Sequence, residues 1–475
     1  MVRIKVIKMK KKTTFAVFFG NRGFFPASLI AQARIDMAEV LESSGYGCLM
    51  LEESLTRYGA VETPREGEVY AKFLQDNRGK YDGIILCLPN FGDETGAISA
   101  LRDCGVPIFV QAYPDELEKM APELRRDAFC GKFSIMDVFT QYGVPFTAMK
   151  PHVVHPKSNQ FNENLQRFAA ICRVVNSMKR MTVGCIGART TPFKTVRVDE
   201  LALQQHGITV ETVDMADVIG RVNKLDSAAT DVINKINRLR GYTCWNGIPD
   251  EAVVNLAKLG VAIDNIIDEL QLDAIAIRCW IELQEQLKVS PCVLLSELND
   301  RGVIAACETD IASAVAMYAL SQASLASSTC LDWNNNYGDD ENKCIVFHCG
   351  PVPQQMMTGP GQVTDHAILA NSVGCGCSYG CNTGRMKPSL VTVAGMLTDK
   401  GQLNFYLSEG ELTDDPIPDN FFGCAGVLKI DDMQDTLQTL GYLGHRHHLT
   451  LTSGLYMDAL YEAFTRYLNY TVTIV

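Results

Sequence analysis

The stretch Gly83–Leu88 reads GIILCL, apolar at nearly every position, and it is one of several such runs in the first 175 residues. Successive strand side chains point to opposite faces, so an unbroken apolar run needs cover on both sides, as in a parallel sheet. Phe15–Gly20, Gly47–Leu51 and Val106–Gln111 are predicted as companion strands. Ser28–Ser43 and Val69–Asn77 carry the helical spacing of apolar residues, with Asp36 and Glu39 on the polar side of the first. Strands alternating with amphipathic helices predict an α/β lobe.

A second α/β pattern starts near Arg180. MTVGCIGA reads as a strand ending in glycines, Val198–His206 as a helix, Ile208–Asp214 as a strand, Ala252–Leu270 as a long amphipathic helix and Ala274–Ile277 as a short strand. Phe161–Met178 reads as a helical connector between the lobes. From about Lys343 the character changes to short β-rich runs with turn signals (CIVFHCG, SLVTVAGML, LNFYLSEGEL, HHLTLTSG), then a last helix over Met457–Tyr467 and TVTIV. Such runs predict antiparallel sheet or barrel. The expected fold class is α/β: two Rossmann-like lobes, residues 1–172 and 173–342, followed by an antiparallel barrel-like β-rich domain over 343–475.

A chain of 475 residues is too long for one core, and 47% hydrophobic residues supply ample material to bury. No apolar run reaches the roughly 18 residues of a membrane helix. The basic start (Lys5, Lys8, Lys10, Lys11, Lys12) leads into TTFAVFFG and then Asn21-Arg22-Gly23 rather than a secretory cleavage pattern, so a cytoplasmic protein is expected. A formal charge of −12 argues against nucleic-acid or anionic-membrane binding, since both need a basic face. Seventeen cysteines in that setting imply reduced thiols. Cys375, Cys377 and Cys381 form C-G-C-x3-C without a second matching pair, so the buried-thiol reading is preferred there to a zinc site.

Chemistry concentrates in the last third. Glu308 and Asp332 are 24 residues apart, His348 follows 16 later, and the pair His447–His448 lies about 100 beyond that. Carboxylates with imidazole suit a hard or borderline ion such as Mn²⁺, and such carboxylates can also move protons. Each residue has a plainer reading. Glu308 stands at a predicted strand-to-helix junction, where it is a site carboxylate or a helix-capping acid; Asp310 fits the cap better. Asp332 is a site carboxylate beside an aromatic wall, Trp333, or a turn residue. His348 is a ligand or a hydrogen-bonded core residue. On a strand His447 and His448 would face opposite sides, leaving only one for a metal.

Taken in order, these residues resemble the L-fucose isomerase/L-arabinose isomerase superfamily of metal-dependent aldose–ketose isomerases. CETDIASA is similar to the family's C-E-x-D-x-x-x-A segment, and LDW falls 24 residues later, the spacing of the fucose isomerase branch. VFHCG and GHRHHLTLTSG resemble the β-domain segments that bring histidines to the metal, while GNRGFFPASL and NFGDETG resemble substrate-side loops near the N-terminus. The resemblance implies that Glu308 and Asp332 are metal ligands and the proton-transferring pair, with His448 and His348 as further ligands. It also implies a divalent cofactor, Mn²⁺ first, and a homo-oligomer, trimer or hexamer. Asp332 stands where the arabinose branch has Glu, which weighs against an arabinose isomerase.

Arg22, Asn90, Trp280, Trp333 and His447 are the candidate substrate-binding residues. Arg22 also reads as a surface or capping arginine, and Trp280 with Glu282 as ordinary packing. Arg189, Lys194 and Arg197 (GARTTPFKTVR) are either an anion site or a solvated loop. The substrate expected is a monosaccharide, with a C6-modified sugar such as a sulfonated one if the basic residues converge. The competing class is a non-catalytic sugar-binding or regulatory protein with two α/β lobes; the histidine-bearing β domain and the acidic pair separate the two.

Overall fold

The run Gly83–Leu88 is buried at all six positions and forms an inner strand of a four-stranded sheet. The computed structural model describes residues 12–26, 28–190 and 192–475, so the basic start as far as Lys11 lies outside the described residues. Contacts divide these residues into two compact units, 12–176 with 462–469 and 177–461 with 470–475.

In the first unit, strands β1 (Thr14–Phe19), β2 (Gly47–Met50), β3 (Gly83–Leu88) and β4 (Ile108–Ala112) pair in the order β2-β1-β3-β4, all parallel. Helices Ser28–Ser43, Pro64–Asp76, Glu94–Leu101 and Ala128–Gln141 follow the strands in turn. The second helix begins five residues before the predicted Val69. Its first turn has no apolar periodicity and is held by capping instead: Thr63 accepts a hydrogen bond from the Glu66 amide, and Pro64 takes the first turn. The predicted connector is the helix Asn159–Met178, whose Phe168 stacks on Phe15 of β1 at 5.4 Å between ring centroids.

The second unit opens with another parallel sheet. β5 (Met181–Ile186), β6 (Ile208–Val213), β7 (Ala274–Ile277) and β8 (Ile304–Cys307) pair in the order β6-β5-β7-β8. The helix Asp250–Leu270 packs an apolar stripe including Leu256, Ile263 and Ile266 into a core shared with Ile186, Ile275 and Ile277. Each such side chain contributes about 1.5–3 kcal/mol by leaving water.

The same unit holds a nine-stranded sheet. Its strands are β9 (Ser328–Tyr337), β10 (Asp340–His348), β11 (Gln362–Thr364), β12 (Cys381–Arg385), β13 (Ser389–Asp399), β14 (Gln402–Thr413), β15 (Cys424–Lys429), β16 (His448–Ser453) and β17 (Thr471–Ile474). Their order is β11-β12-β15-β10-β9-β16-β13-β14-β17, and β14 also pairs with β15. The expectation of purely antiparallel pairing is corrected: β12–β15 and β14–β17 run parallel. Both parallel partners arrive after long excursions of the chain, which a hairpin pattern cannot register. Alternation along β9 and β16 is strict. Leu331, Leu449 and Leu451 enter the core with Val346, Val391 and Val393, while Asp332 and His448 fall on the other face. No helix among the described residues is long and apolar enough to cross a membrane.

Candidate active site

Glu308 follows the last residue of β8, and both it and Thr309 adopt left-handed backbone, with φ of 63° and 55°. Neither is glycine and Thr309 is β-branched, so each costs on the order of 1–3 kcal/mol. The chain thereby turns sharply between strand and helix. Asp310 caps the helix Ile311–Ser324, its carboxylate accepting from the Ser313 amide at 3.1 Å and the Ser313 hydroxyl at 2.5 Å. The capping role therefore belongs to Asp310, and Glu308 is free to face elsewhere. The Trp280 indole N–H donates to Glu308 Oε1 at 3.2 Å.

The nine-stranded sheet meets this carboxylate from the other side. In the β9–β16 ladder His448 is the direct partner of Asp332, and on the opposite flank of β9 Phe347 of β10 pairs with the same residue, with His348 next along. His448 Nε2 lies 3.0 Å from Glu308 Oε2 and 3.4 Å from Asp332 Oδ1. His348 Nε2 lies 4.0 Å from Glu308 Oε2, and His447 Nε2 3.8 Å from Asp332 Oδ1. The expected separation of His447 from His448 fails because His447 precedes the strand; their ring centroids are 4.5 Å apart.

Behind His448 stands a buried charged pair. His448 Nδ1 is 2.7 Å from Asp310 Oδ2, and the other Asp310 oxygen is paired with Arg446. Burial pushes the Asp310 carboxyl up, but Arg446 and His448 outweigh it and hold the group below its usual value. Burial likewise opposes ionised Glu308, yet His448 and His348 keep its carboxyl below the ordinary range. For His448, burial disfavours the charged ring, and Cys330, Asp310 and Glu308 reverse that and raise it well above normal.

Two nitrogens aimed into this cluster, His348 Nε2 and His448 Nε2, are buried and have no hydrogen-bond partner among the described residues. His448 Nε2 faces a Glu308 oxygen at 3.0 Å and an Asp332 oxygen at 3.4 Å, so three potential ligand atoms converge on one position. Glu308, His348 and His448 form one group with the spacing to hold a metal ion, and Asp332, His447 and His448 form another that shares His448. Carboxylate oxygen and imidazole nitrogen form a hard-to-borderline donor set that fits a divalent first-row ion.

The other candidates have different surroundings. Trp280 belongs to the cluster. Trp333 does not: it follows Asp332 on the strand, so it points to the opposite face and packs against the core containing Leu331 and Leu449. Glu282 is engaged by Arg278 at 2.6 Å. Arg22 and Asn90 lie in the other unit, at the ends of β1 and β3, and are brought to each other. The Arg22 amide donates to Asn90 Oδ1 at 3.2 Å, and its guanidinium donates to the Gly92 carbonyl at 2.7 Å and pairs with Glu94. Three residues of the site were not singled out for it. Phe193 brings its ring to 5.5 Å from His447, 5.8 Å from His448 and 6.1 Å from Trp280, so the loop bearing Arg189, Lys194 and Arg197 lies over the histidines. Arg446 and Asp310 are the others. Asp310 had a signal, being two residues past Glu308 in C-E-x-D, but its capping role concealed its second partner.

Residues 16–179 match the family described as "Fucose/sulfoquinovose isomerase, N-terminal domain", and residues 346–475 match "L-fucose isomerase, C-terminal domain". A sulfoquinovose isomerase of Priestia aryabhattai is 22% identical over 393 residues, 82% of this chain and 85% of that protein, with the same figures for one from Priestia megaterium. A sulfoquinovose isomerase of Alkalicoccus urumqiensis is 24% identical over 279 residues, 58% of this chain and 61% of that protein. A periplasmic solute-binding protein of Actinobacillus succinogenes, solved with bound D-allose, aligns over 66% of this chain and 93% of its own at 13% identity and a TM-score of 0.18, too distant a likeness to bear on the fold. The two family matches together span more than half of the sequence, and the chain belongs to the fucose isomerase superfamily of aldose–ketose isomerases.

Proposed function

We propose that this chain interconverts an aldose and a ketose through an enediol, on a hexose that carries a sulfonate at C6. The observation that carries the reading is the convergence of two carboxylates on one imidazole nitrogen, Glu308 at 3.0 Å and Asp332 at 3.4 Å from His448 Nε2. Glu308, Asp332 and His448 would hold a divalent ion, Mn²⁺ by preference, with His348 as the further candidate ligand. Such an ion, when bound, supplies positive charge against the developing enediolate.

The chain's own residues do the rest. Isomerisation moves one proton between C1 and C2 and another between the two oxygens, which suits a pair of carboxylates acting as base and acid. Glu308, held ionised by His448 and His348, is competent to accept a proton, and the Trp280 N–H fixes Oε1 while leaving Oε2 toward the histidines. Trp280 and Phe193 wall the cluster with aromatic surface, which limits water beside a reactive intermediate. His447, on the Asp332 side, is placed to meet a sugar hydroxyl.

Support for the sulfonate comes from the relatives' substrate and from the loop over the histidines. Arg189, Lys194 and Arg197 on that loop offer the charge-assisted donors an anionic C6 group requires. Assembly as a homo-oligomer, trimer or hexamer, and a cytoplasmic home complete the reading; seventeen free thiols suit a reducing compartment.

The test is proton NMR in D₂O with Mn²⁺-loaded protein and a panel of sulfoquinovose, glucose, fucose and arabinose. Deuterium entering at C2 together with ketose formation, fastest on the sulfonated sugar, is the expected result. Equal rates on charged and neutral C6 analogues would remove the sulfonate, and no exchange on any sugar from folded, metal-loaded protein would remove the isomerase.

A further inference from the structure

The motif C-G-C-x3-C comes apart in the fold. Cys375 is exposed and Cys377 half-buried, while Cys381 is buried at the head of β12. Its thiol donates to Cys292 Sγ at 4.0 Å, across 89 residues of chain. Cys292 opens the helix Cys292–Asp300 and is also the hydrogen-bond partner of Cys307 and Cys349. Three thiols thus surround a fourth sulfur rather than an empty centre, an arrangement for thiol–disulfide exchange and not a metal cage. Cys307, Cys349 and Cys381 all donate to Cys292 and hold its thiol well below the usual value against burial.

The backbones that carry Cys292 and Cys381 are already joined. The Ser290 amide donates to the Tyr379 carbonyl and the Val293 amide to the Gly380 carbonyl, both at 2.8 Å, and Val289 and Tyr379 form a parallel bridge. A Cβ at Gly380 would stand 1.9 Å from the Ser290 carbonyl oxygen, so only glycine permits this approach. A disulfide brings its sulfurs to about 2.05 Å and tolerates only a narrow range of backbone separation. Two segments held this closely leave little but side-chain rotation to join the sulfurs.

We propose that Cys292 and Cys381 are an oxidisable pair that hydrogen peroxide converts to a disulfide, with Cys349 as the thiol first attacked. Cys349 is the half-buried member of the group, and the other three are buried. Its sulfur takes one peroxide oxygen, giving a sulfenic acid and one water. Cys292 attacks that sulfur, and the sulfenic oxygen leaves with the Cys292 proton as a second water. Cys381 then attacks the Cys292 sulfur, and its proton passes to the departing Cys349. Two thiols have lost two hydrogens, one peroxide has become two waters, and Cys349 is a thiol again.

The test treats the native, reductant-free protein with equimolar hydrogen peroxide, alkylates it in denaturant with iodoacetamide and maps its peptides by mass spectrometry. The expected product joins the Cys292 and Cys381 peptides. In Cys381→Ser the Cys292–Cys349 bond should accumulate instead, and in Cys349→Ser the Cys292–Cys381 bond should form about tenfold more slowly or less readily still. Oxidised wild type should melt about 5 °C or more above the reduced protein, because the bond closes a long loop. Dithiothreitol should reverse that shift, and Cys381→Ser should not show it. The double variant Cys375→Ser with Cys377→Ser should oxidise at the wild-type rate. Recovery of Cys292 and Cys381 as alkylated thiols from wild type, with oxidation confined to exposed cysteines such as Cys130 and Cys375, would overturn the pair. Wild-type rates in Cys349→Ser, or a slowed bond in the Cys375/Cys377 double variant, would overturn the route through Cys349.

Discussion

Asp332 and His448 are direct cross-strand partners between β9 and β16, and this register sets His448 Nε2 3.4 Å from Asp332 Oδ1 on the face away from the core. A slip of one residue would send both side chains into the apolar layer and bring Leu331 and Leu449 out. The site is thus as well specified as the core itself.

Removing either partner should empty the site without unfolding the sheet. Asp332→Asn and His448→Gln are expected to lower Mn²⁺ affinity by more than the roughly 10–100-fold that a supporting residue costs. Isothermal titration against Mn²⁺ measures this, with circular dichroism as the fold control. Wild-type affinity in either variant would take that residue out of the metal's ligands.

Asp310 supports the site from behind, and two substitutions separate its roles. Asp310→Asn keeps an oxygen for the Ser313 cap but weakens its hold on His448 Nδ1, and should lower Mn²⁺ affinity by roughly 10–100-fold at modest cost in stability. Asp310→Ala also strands Arg446, which is 7% exposed, and should cost about 3–5 kcal/mol in urea unfolding. Equal stability losses in both variants, with metal affinity unchanged, would reduce Asp310 to a cap.

The buried thiols predict alkaline lability. Burial pushes Cys344 and Cys424 from 9.0 up to about 12. Below pH 9 these thiols are protonated in both states and the stability is fully present. Between pH 9 and about 12 they ionise only in the unfolded chain, which then binds fewer protons, so stability falls by about 1.4 kcal/mol per pH unit per thiol. The urea midpoint, measured under reductant at pH 8, 9.5 and 10.5, should decline across the series and decline less steeply in Cys424→Ala. A flat series would contradict the burial of these groups.

Substrate charge should be read by the loop that Phe193 anchors. Arg189→Gln with Lys194→Gln is expected to raise the KM for a C6-sulfonated hexose about tenfold or more, the order of one or two lost charge-assisted hydrogen bonds. The KM for a neutral hexose should not move. Parallel losses on both sugars would mean that the loop packs the site rather than reading the anion.

Legibility followed the range of the signal. Parallel strands announce themselves locally, because a strand buried on both faces must be apolar throughout, and Gly83–Leu88 and Ala274–Ile277 were found at their observed bounds. The helix start at Pro64 was missed because its information lies in a cap rather than in apolar spacing. Trp333 looked like a pocket wall because it adjoins Asp332, yet adjacency on a strand is what puts it on the other face. Arg22 and Asn90 were singled out through the resemblance of their loops to substrate-side loops, and in the first unit these two loops join each other.

Glu308, Asp332, His348 and His448 could be named as metal-binding residue types from the sequence, because ligand chemistry is a property of the side chain alone. Which of them meet depends on strand register, on two left-handed residues after β8, and on Asp310 behind His448. Those are relations between segments up to 138 residues apart, and only folding fixes them.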